Sequence, residues 1–368
     1  MSRAWGLLLL FSIAAGAAES EWSFENTNFL LNSREILSND PYTYDYNRLR
    51  MTGTLDAGSF FFTLIADNET FAGADYLESA EYALARQSDA DTPFDTRTSP
   101  WSNPEAENRL RLYRLYGEYT NDRHMVTAGL MRVSFGVGRI WTPVDFFNPL
   151  NSFSIETTER DGVFGLQYAY ALSNLSSLQL VTAQNRDGEA KSALRLKGYL
   201  PFGDTAVLAY NSPSMDFIGY EFDARVGETD LAFRSEGGRY HDKTLDESYI
   251  KYILGADYGW ENSLMILVEY LYNGLPAASL LTLPEVNAHQ DEHYLGIMAT
   301  YQPTPLWSLA ATVIRNLDDA SAFLSPSAVY SLSDESTLTL GLIAFSGEAE
   351  SEFGAVPDTY YLSWYYHF

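Results

Sequence analysis

The most constraining feature of this sequence is a two-residue alternation that runs to its last residue. Tyr360, Leu362, Trp364, Tyr366 and Phe368 share one parity, and Tyr361, Ser363, Tyr365 and His367 share the other. A helix would scatter these side chains around its axis, whereas a strand places alternate residues on opposite faces. The same period recurs upstream. Ile250, Tyr252, Leu254, Ala256 and Tyr258 alternate with Lys251, Ile253, Gly255 and Asp257. Ile218, Tyr220, Phe222 and Ala224 alternate with Gly219, Glu221, Asp223 and Arg225. Segments of about ten residues with this pattern, separated by turn residues, are the mark of a transmembrane β-barrel. No later window approaches the ~18–20 apolar residues of a spanning helix.

About eighteen such strands fit the chain, the first at 22–32 and the last at 358–368; sixteen is the alternative count. Short turns at 56–59, 121–122, 174–175, 203–204, 227–228, 261–262, 303–305 and 334–335 alternate with longer segments at 69–108, 135–161, 239–247, 274–292 and 348–357. With eighteen strands every short turn follows an even-numbered strand, which places both termini on the short-turn side. The expected fold is therefore all-β: a single antiparallel transmembrane barrel with short periplasmic turns and long extracellular loops. Soluble sandwiches rarely reach eighteen strands with such one-sided loops, and no fixed-period repeat indicates a propeller.

The N-terminus reads as a secretory signal. Arg3 precedes a short apolar run from Leu7 to Ala14, and Ala15-Gly16-Ala17 gives an A-x-A site. Residues 1–18 are expected to be a signal peptide cleaved after Ala17 or Ala18, leaving 19–368 as the barrel in a bacterial outer membrane. Composition agrees: the 26 Tyr outnumber Lys plus Arg, 23 together. Amphipathic rings in such numbers suit interfacial girdles. A net charge of -26 makes nucleic acid a poor partner, and the absence of Cys removes thiolate metal sites and a lipid-modified N-terminal Cys.

Charge on the polar strand parity defines the expected lumen. Arg48, Arg50, Asp56, Arg195, Lys197, Glu221, Asp223, Arg225, Arg234, Glu236, Lys251, Asp257 and Glu269 all fall on it. An Arg or Lys facing lipid at the midplane costs roughly 2–4 kcal/mol, so these side chains must face inward. They either line a water-filled channel or pair across the wall and brace it; both roles are compatible. The acidic segments 69–108 and 348–357 suit solvation better than divalent-cation binding in a lipopolysaccharide layer.

Segment 129–153 starts as a strand and then breaks at Gly136, Gly138, Pro143 and Pro149. Phe135, Ile140, Trp141, Val144, Phe146, Phe147 and Phe153 make it too apolar for a loop in water. It is expected to pack on the inner wall and narrow the lumen, with Arg132, Arg139, Asp145 and Arg160 as the charges of the pore constriction. A folded cap over the mouth is the alternative.

The mature chain resembles a Gram-negative porin. The closing Tyr-Trp-Tyr-Tyr-His-Phe pattern is similar to the terminal strand read by the barrel-assembly machinery, which implies Tyr366 and Phe368 as an assembly signal. The stretch Arg132…Gly136-Val-Gly138-Arg139…Pro143…Asp145…Asn148-Pro149 resembles a segment of porin-like and alginate-export-like barrels. These resemblances imply outer-membrane lipid, lipopolysaccharide and small hydrophilic solutes as partners; a homotrimer is compatible with them, as is a monomer.

Enzyme readings find little support. Neither Gly-x-Ser-x-Gly nor a phosphate-binding Gly-rich loop is present. His289 and His293 are too incomplete a set for a metal, and His241-Asp242 is a thin catalytic candidate. No cofactor is expected. A plug domain of the kind carried by 22-stranded transporters does not fit before the first confident strands. The expected activity is passive diffusion of small hydrophilic solutes or ions. The alternatives are an exporter or channel for an anionic polymer such as a polysaccharide, and a non-conducting structural or adhesive barrel.

Overall fold

The structure, a computed structural model, describes residues 18–87, 90–277 and 289–368; the expected signal segment falls outside these up to residue 17. Among the described residues the strands are β1 (Glu19–Arg34), β2 (Pro41–Asp56), β3 (Phe60–Ala72), β4 (Arg97–Ser102), β5 (Ala106–Thr120), β6 (His124–Met131), β7 (Val163–Ser173), β8 (Ser176–Gln184), β9 (Ala190–Leu200) and β10 (Gly203–Asn211). They continue with β11 (Met215–Arg225), β12 (Leu231–Asp242), β13 (Glu247–Gly259), β14 (Met265–Asn273), β15 (His293–Thr304), β16 (Trp307–Asn316), β17 (Ala322–Ser333), β18 (Ser336–Ser346) and β19 (Thr359–His367).

All of these but β4 form one closed antiparallel barrel. Each pairs with its neighbours in the chain, β3 pairs directly with β5, and β1 closes the ring on β19 from Glu25↔His367 to Asn32↔Tyr360. The wall thus has the eighteen strands that the alternation implies. Its first strand, expected over 22–32, is longer and runs over Glu19–Arg34, because β2 pairs along its whole length. At the closing seam the Phe368 N–H donates to the Phe24 carbonyl at 2.9 Å and the reverse bond is 3.0 Å. The two rings stack at 5.8 Å.

Burial runs opposite to that of a soluble protein. Ile218, Leu254 and Leu340 are exposed, whereas Arg234, Glu236, Lys251 and Glu269 are buried. Alternate residues of one strand explain both lists, since the apolar parity faces outward to lipid and the polar parity inward. The outward rows carry rings near their ends, among them Trp307 on Tyr330 and Tyr252 on Tyr272.

Connections at the end that holds the termini are short. At the opposite rim the long ones are 73–105, 132–162, 274–292 and 347–358, while 212–214 and 243–246 are tight. The segment read from sequence as a longer loop at 239–247 is mostly strand, because β12 and β13 stay paired out to Asp242↔Glu247. Connection 73–105 folds into α1 (Ala74–Glu78), α2 (Ala80–Gln87) and β4. Tyr76 of α1 stacks on Tyr44 at 3.6 Å. Strand β4 has a structural task. β6 pairs with β5 only over Leu115–Thr120 and then leaves the wall, and β4 takes up the same β5 edge from Glu107 to Arg111.

Candidate functional site

The chain that leaves the wall at Met131 returns to it only at Val163. Over 132–162 it touches β2, β5, β11, β12, β14, β15 and β17, strands spread around the whole ring. Only a path across the barrel interior permits that.

Its first half is held by backbone hydrogen bonds to wall carboxylates. Glu221 accepts the Gly136 N–H at 2.8 Å. Glu236 accepts those of Val137, Gly138 (2.9 Å) and Val144 (3.4 Å). Glu269 accepts those of Arg139 (2.7 Å), Ile140 (2.8 Å) and Trp141 (3.3 Å). The three carboxylates are 2%, 0% and 0% exposed, so nearly every acceptor lobe must find a donor inside the protein. Gly136 has φ of 91°, and a Cβ there would stand 2.6 Å from a Glu236 oxygen. Glycine is what lets the backbone come this close.

Apolar packing fixes the same half. Phe146 lies 4.3 Å from Tyr210 and 4.8 Å from Phe217, ring to ring. The Tyr240 hydroxyl donates to the Pro143 carbonyl at 2.6 Å. Further along, Phe153 packs on Phe323 at 5.0 Å and on Phe353 at 5.6 Å.

The second half reverses the polarity, with acids on the segment and bases on the wall. Arg48 binds Glu156 at 2.7 Å; Arg50 binds Glu159 at 2.8 Å while holding Asp67 of β3 at 2.7 Å. Arg111 pairs with Asp161, and Arg114 donates to the Arg160 carbonyl at 2.6 Å. Burial would raise the pKa of Glu159, but the hydrogen bond from Arg50 and the charges of Arg48 and Arg50 outweigh it and hold it at about 2. Arg50, Arg111 and Arg114 all lie over the Tyr113 ring, at 4.1, 4.8 and 4.0 Å.

The four charges expected at the constriction divide. Asp145 and Arg160 face each other at 3.6 Å, and Asp145 is 2% exposed. Asp145 also accepts the N–H groups of Phe147 (3.2 Å) and Asn148 (2.9 Å), forming the turn before Pro149. These two residues brace the segment rather than face water. Arg132 and Arg139 are exposed, and among the described residues neither makes an ion pair. Arg132 stands near enough to Arg160 for its like charge, after burial, to lower the Arg160 pKa.

Most of the expected lumenal row is paired as well. Arg195 binds Glu221, Arg234 binds Asp257, and Lys197 lies 3.6 Å from Asp204. Lys251 is buried, Asp223 is half-buried, and Arg225 is exposed at the short-turn end of β11. His289 and His293 do not meet: the first contacts Glu352 at 3.3 Å, the second the Tyr270 hydroxyl at 2.6 Å.

Sequence reading missed Arg111, Arg114, Glu156 and Glu159. A β-bulge explains the first two: Ile65 faces Arg114 while Ala66 faces Leu112, so Tyr113 is the extra residue. Parity shifts there, and Arg111 and Arg114 both turn inward.

The sequence matches no protein-family model and no curated protein. Solved structures do match. Acinetobacter baumannii OccAB1 aligns with a TM-score of 0.61 at 8% identity, covering 95% of this chain and 96% of that one. Pseudomonas aeruginosa OccK5 (OpdH) gives 0.59 at 11%, covering 95% and 98%. Pseudomonas aeruginosa OpdK with vanillate gives 0.56 at 8%, also covering 95% and 98%. The fold is that of the outer-membrane porins. With an apolar outer wall and a polar interior, this chain is a bacterial outer-membrane β-barrel.

Proposed function

We propose that the protein is a passive diffusion channel for small hydrophilic solutes, narrowed by segment 132–162. The termini and short turns would lie in the periplasm and the longer connections outside. The observation that carries the reading is a segment anchored on both sides of the barrel that leaves two exposed guanidinium groups, Arg132 and Arg139, without an ion pair among the described residues. In a narrow low-dielectric passage such fixed charges act strongly on ions. They favour small organic anions, and the vanillate bound by OpdK is a solute of that kind. A chain crossing the interior also speaks against a bulky polymer as cargo.

Planar-bilayer recording tests this. Wild type is expected to conduct steadily, and replacing Arg132 and Arg139 together by Ala should move the reversal potential toward cation preference. Silence in the bilayer, or an unmoved reversal potential, would remove the reading.

A further inference from the structure

The outward strand rows are mainly apolar, and near the opposite rim Arg239 of β12, like Arg315 of β16, departs from this. Arg239 shares the outward parity of Phe233 and is exposed. It stands in register with Ile218 on one side and Ile250 on the other. Its guanidinium donates to the Ser248 hydroxyl at 3.3 Å, and His241 Nδ1 meets the same oxygen at 3.2 Å. No carboxylate among the described residues lies within ion-pair distance of Arg239. Lys243, in the turn that follows, binds Asp216 at 3.0 Å, and His241 Nε2 lies 3.7 Å from Asp246, so Arg239 is the member of the cluster left for an outside anion. Ile250, the partner of Arg239, is one outward position above Tyr252, whose ring stacks on Tyr272 at 5.3 Å. Stacked tyrosines on an outer wall mark the membrane interface, so Arg239 stands at the level of lipid headgroups.

Beside this cluster the outer faces of β7 to β11 form a shallow, open hollow of about 680 Å³. Its floor is kept low by Thr182, Ser192 and Ala209, and its sides are Leu166, Leu180 and Leu194. The hollow reaches Asp216, the register partner of His241, so hollow and basic cluster adjoin.

We propose that this is a docking site for a phosphorylated saccharolipid, the lipopolysaccharide of the outer leaflet. Arg239, flanked by His241 and Lys243, receives a headgroup phosphate, and the apolar hollow receives an acyl chain. Guanidinium and phosphate match in charge and geometry, and the hollow offers the apolar contact that a phosphate alone would not use. The site rests on the orientation given above, with the longer connections outside. It does not depend on what passes through the lumen.

Native mass spectrometry of the detergent-purified full chain, titrated with lipid A, is the test. Wild type should retain one lipid A molecule. Arg239→Gln and Ser192→Leu should each weaken that adduct at least several-fold while remaining heat-modifiable barrels with unchanged conductance. Dephosphorylated lipid A should bind wild type no better than intact lipid A binds the Arg239→Gln chain. Equal retention by wild type and both variants would overturn the site, and so would phosphatidylglycerol binding as tightly as lipid A. Conductance is read on the same samples, so failure here is distinguishable from failure of the channel reading.

Discussion

The two halves of the inward segment are held by opposite chemistry. Over 136–144 the segment offers backbone N–H groups to Glu221, Glu236 and Glu269 of β11, β12 and β14. Over 156–161 it offers carboxylates to Arg48, Arg50 and Arg111 of β2 and β5. These two groups of strands lie on opposite sides of the ring. The wall therefore presents carboxylate acceptors to the segment on one side and guanidinium donors on the other, and the segment satisfies both. The comparison teaches that a charged inner wall need not be a charged pore. Its charge is paired within the wall or spent on anchoring, as at Arg195 with Glu221 and Arg48 with Glu156, and Arg132 and Arg139 are left to face water.

The strongest way to break this comparison removes both anchors' object. Deleting 137–152 takes away the span between them and should raise single-channel conductance several-fold. Heat-modifiability checks that the barrel still closes. Unchanged conductance would mean that the segment does not limit passage.

Removing the anchors one side at a time sharpens it. Glu236→Ala with Glu269→Ala leaves the N–H groups of Val137 to Trp141 without their acceptors. Each buried group so stranded costs about 1–3 kcal/mol. Glu156→Gln with Glu159→Gln keeps hydrogen-bonding side chains in place, and Arg50 retains Asp67. The first pair should raise current noise and expose the Arg139 bond to trypsin more than the second pair does. The reverse order would show that the ion pairs are the firmer anchor.

Acid should act on the 156–161 anchor through Glu159. The Glu159 pKa is lowered to about 2 from 4.5. A lowered carboxylate stabilises the fold above its unfolded pKa, and that contribution is lost as pH falls toward the folded one. Between pH 4.5 and about 2 the 156–161 anchor should loosen, read as rising noise in wild type. The rise should be smaller in Glu159→Gln, where only Glu156, held above the usual carboxylate range by burial, is left to take up a proton in this anchor.

How much of this was legible in the sequence follows from which atoms do the holding. The parity that turns Arg48, Arg50 and Arg234 inward is written in alternation, and the exit of the chain from the wall is written in Gly136, Gly138 and Pro143. The partners of Glu221, Glu236 and Glu269 leave no residue signature, because any residue with a backbone N–H would serve. The basic anchor hid for another reason. Tyr113 is a bulge, so a strict period of two turns Arg114 the wrong way. Strand β4 was invisible as well, since Arg97–Ser102 is charged, short and broken by Pro100.

The smallest expected effect concerns Asp145, the residue that joins the two halves through Arg160. Burial, opposed by the Asn148 N–H and the Arg160 charge, pushes its pKa up from 3.8 to about 6. A raised carboxylate favours the protonated folded state, so stability is lost as pH rises from about 4 through about 6. Asn at this position keeps an oxygen for the N–H groups of Phe147 and Asn148 but carries no charge to bury. Wild type should therefore gain slightly in urea midpoint on acidification from pH 7 to pH 5, while Asp145→Asn should show no such gain and little change in conductance. If the variant instead loses stability at pH 7, the Arg160 ion pair outweighs the cost of burying the carboxylate, and the junction between the halves is an electrostatic anchor in its own right.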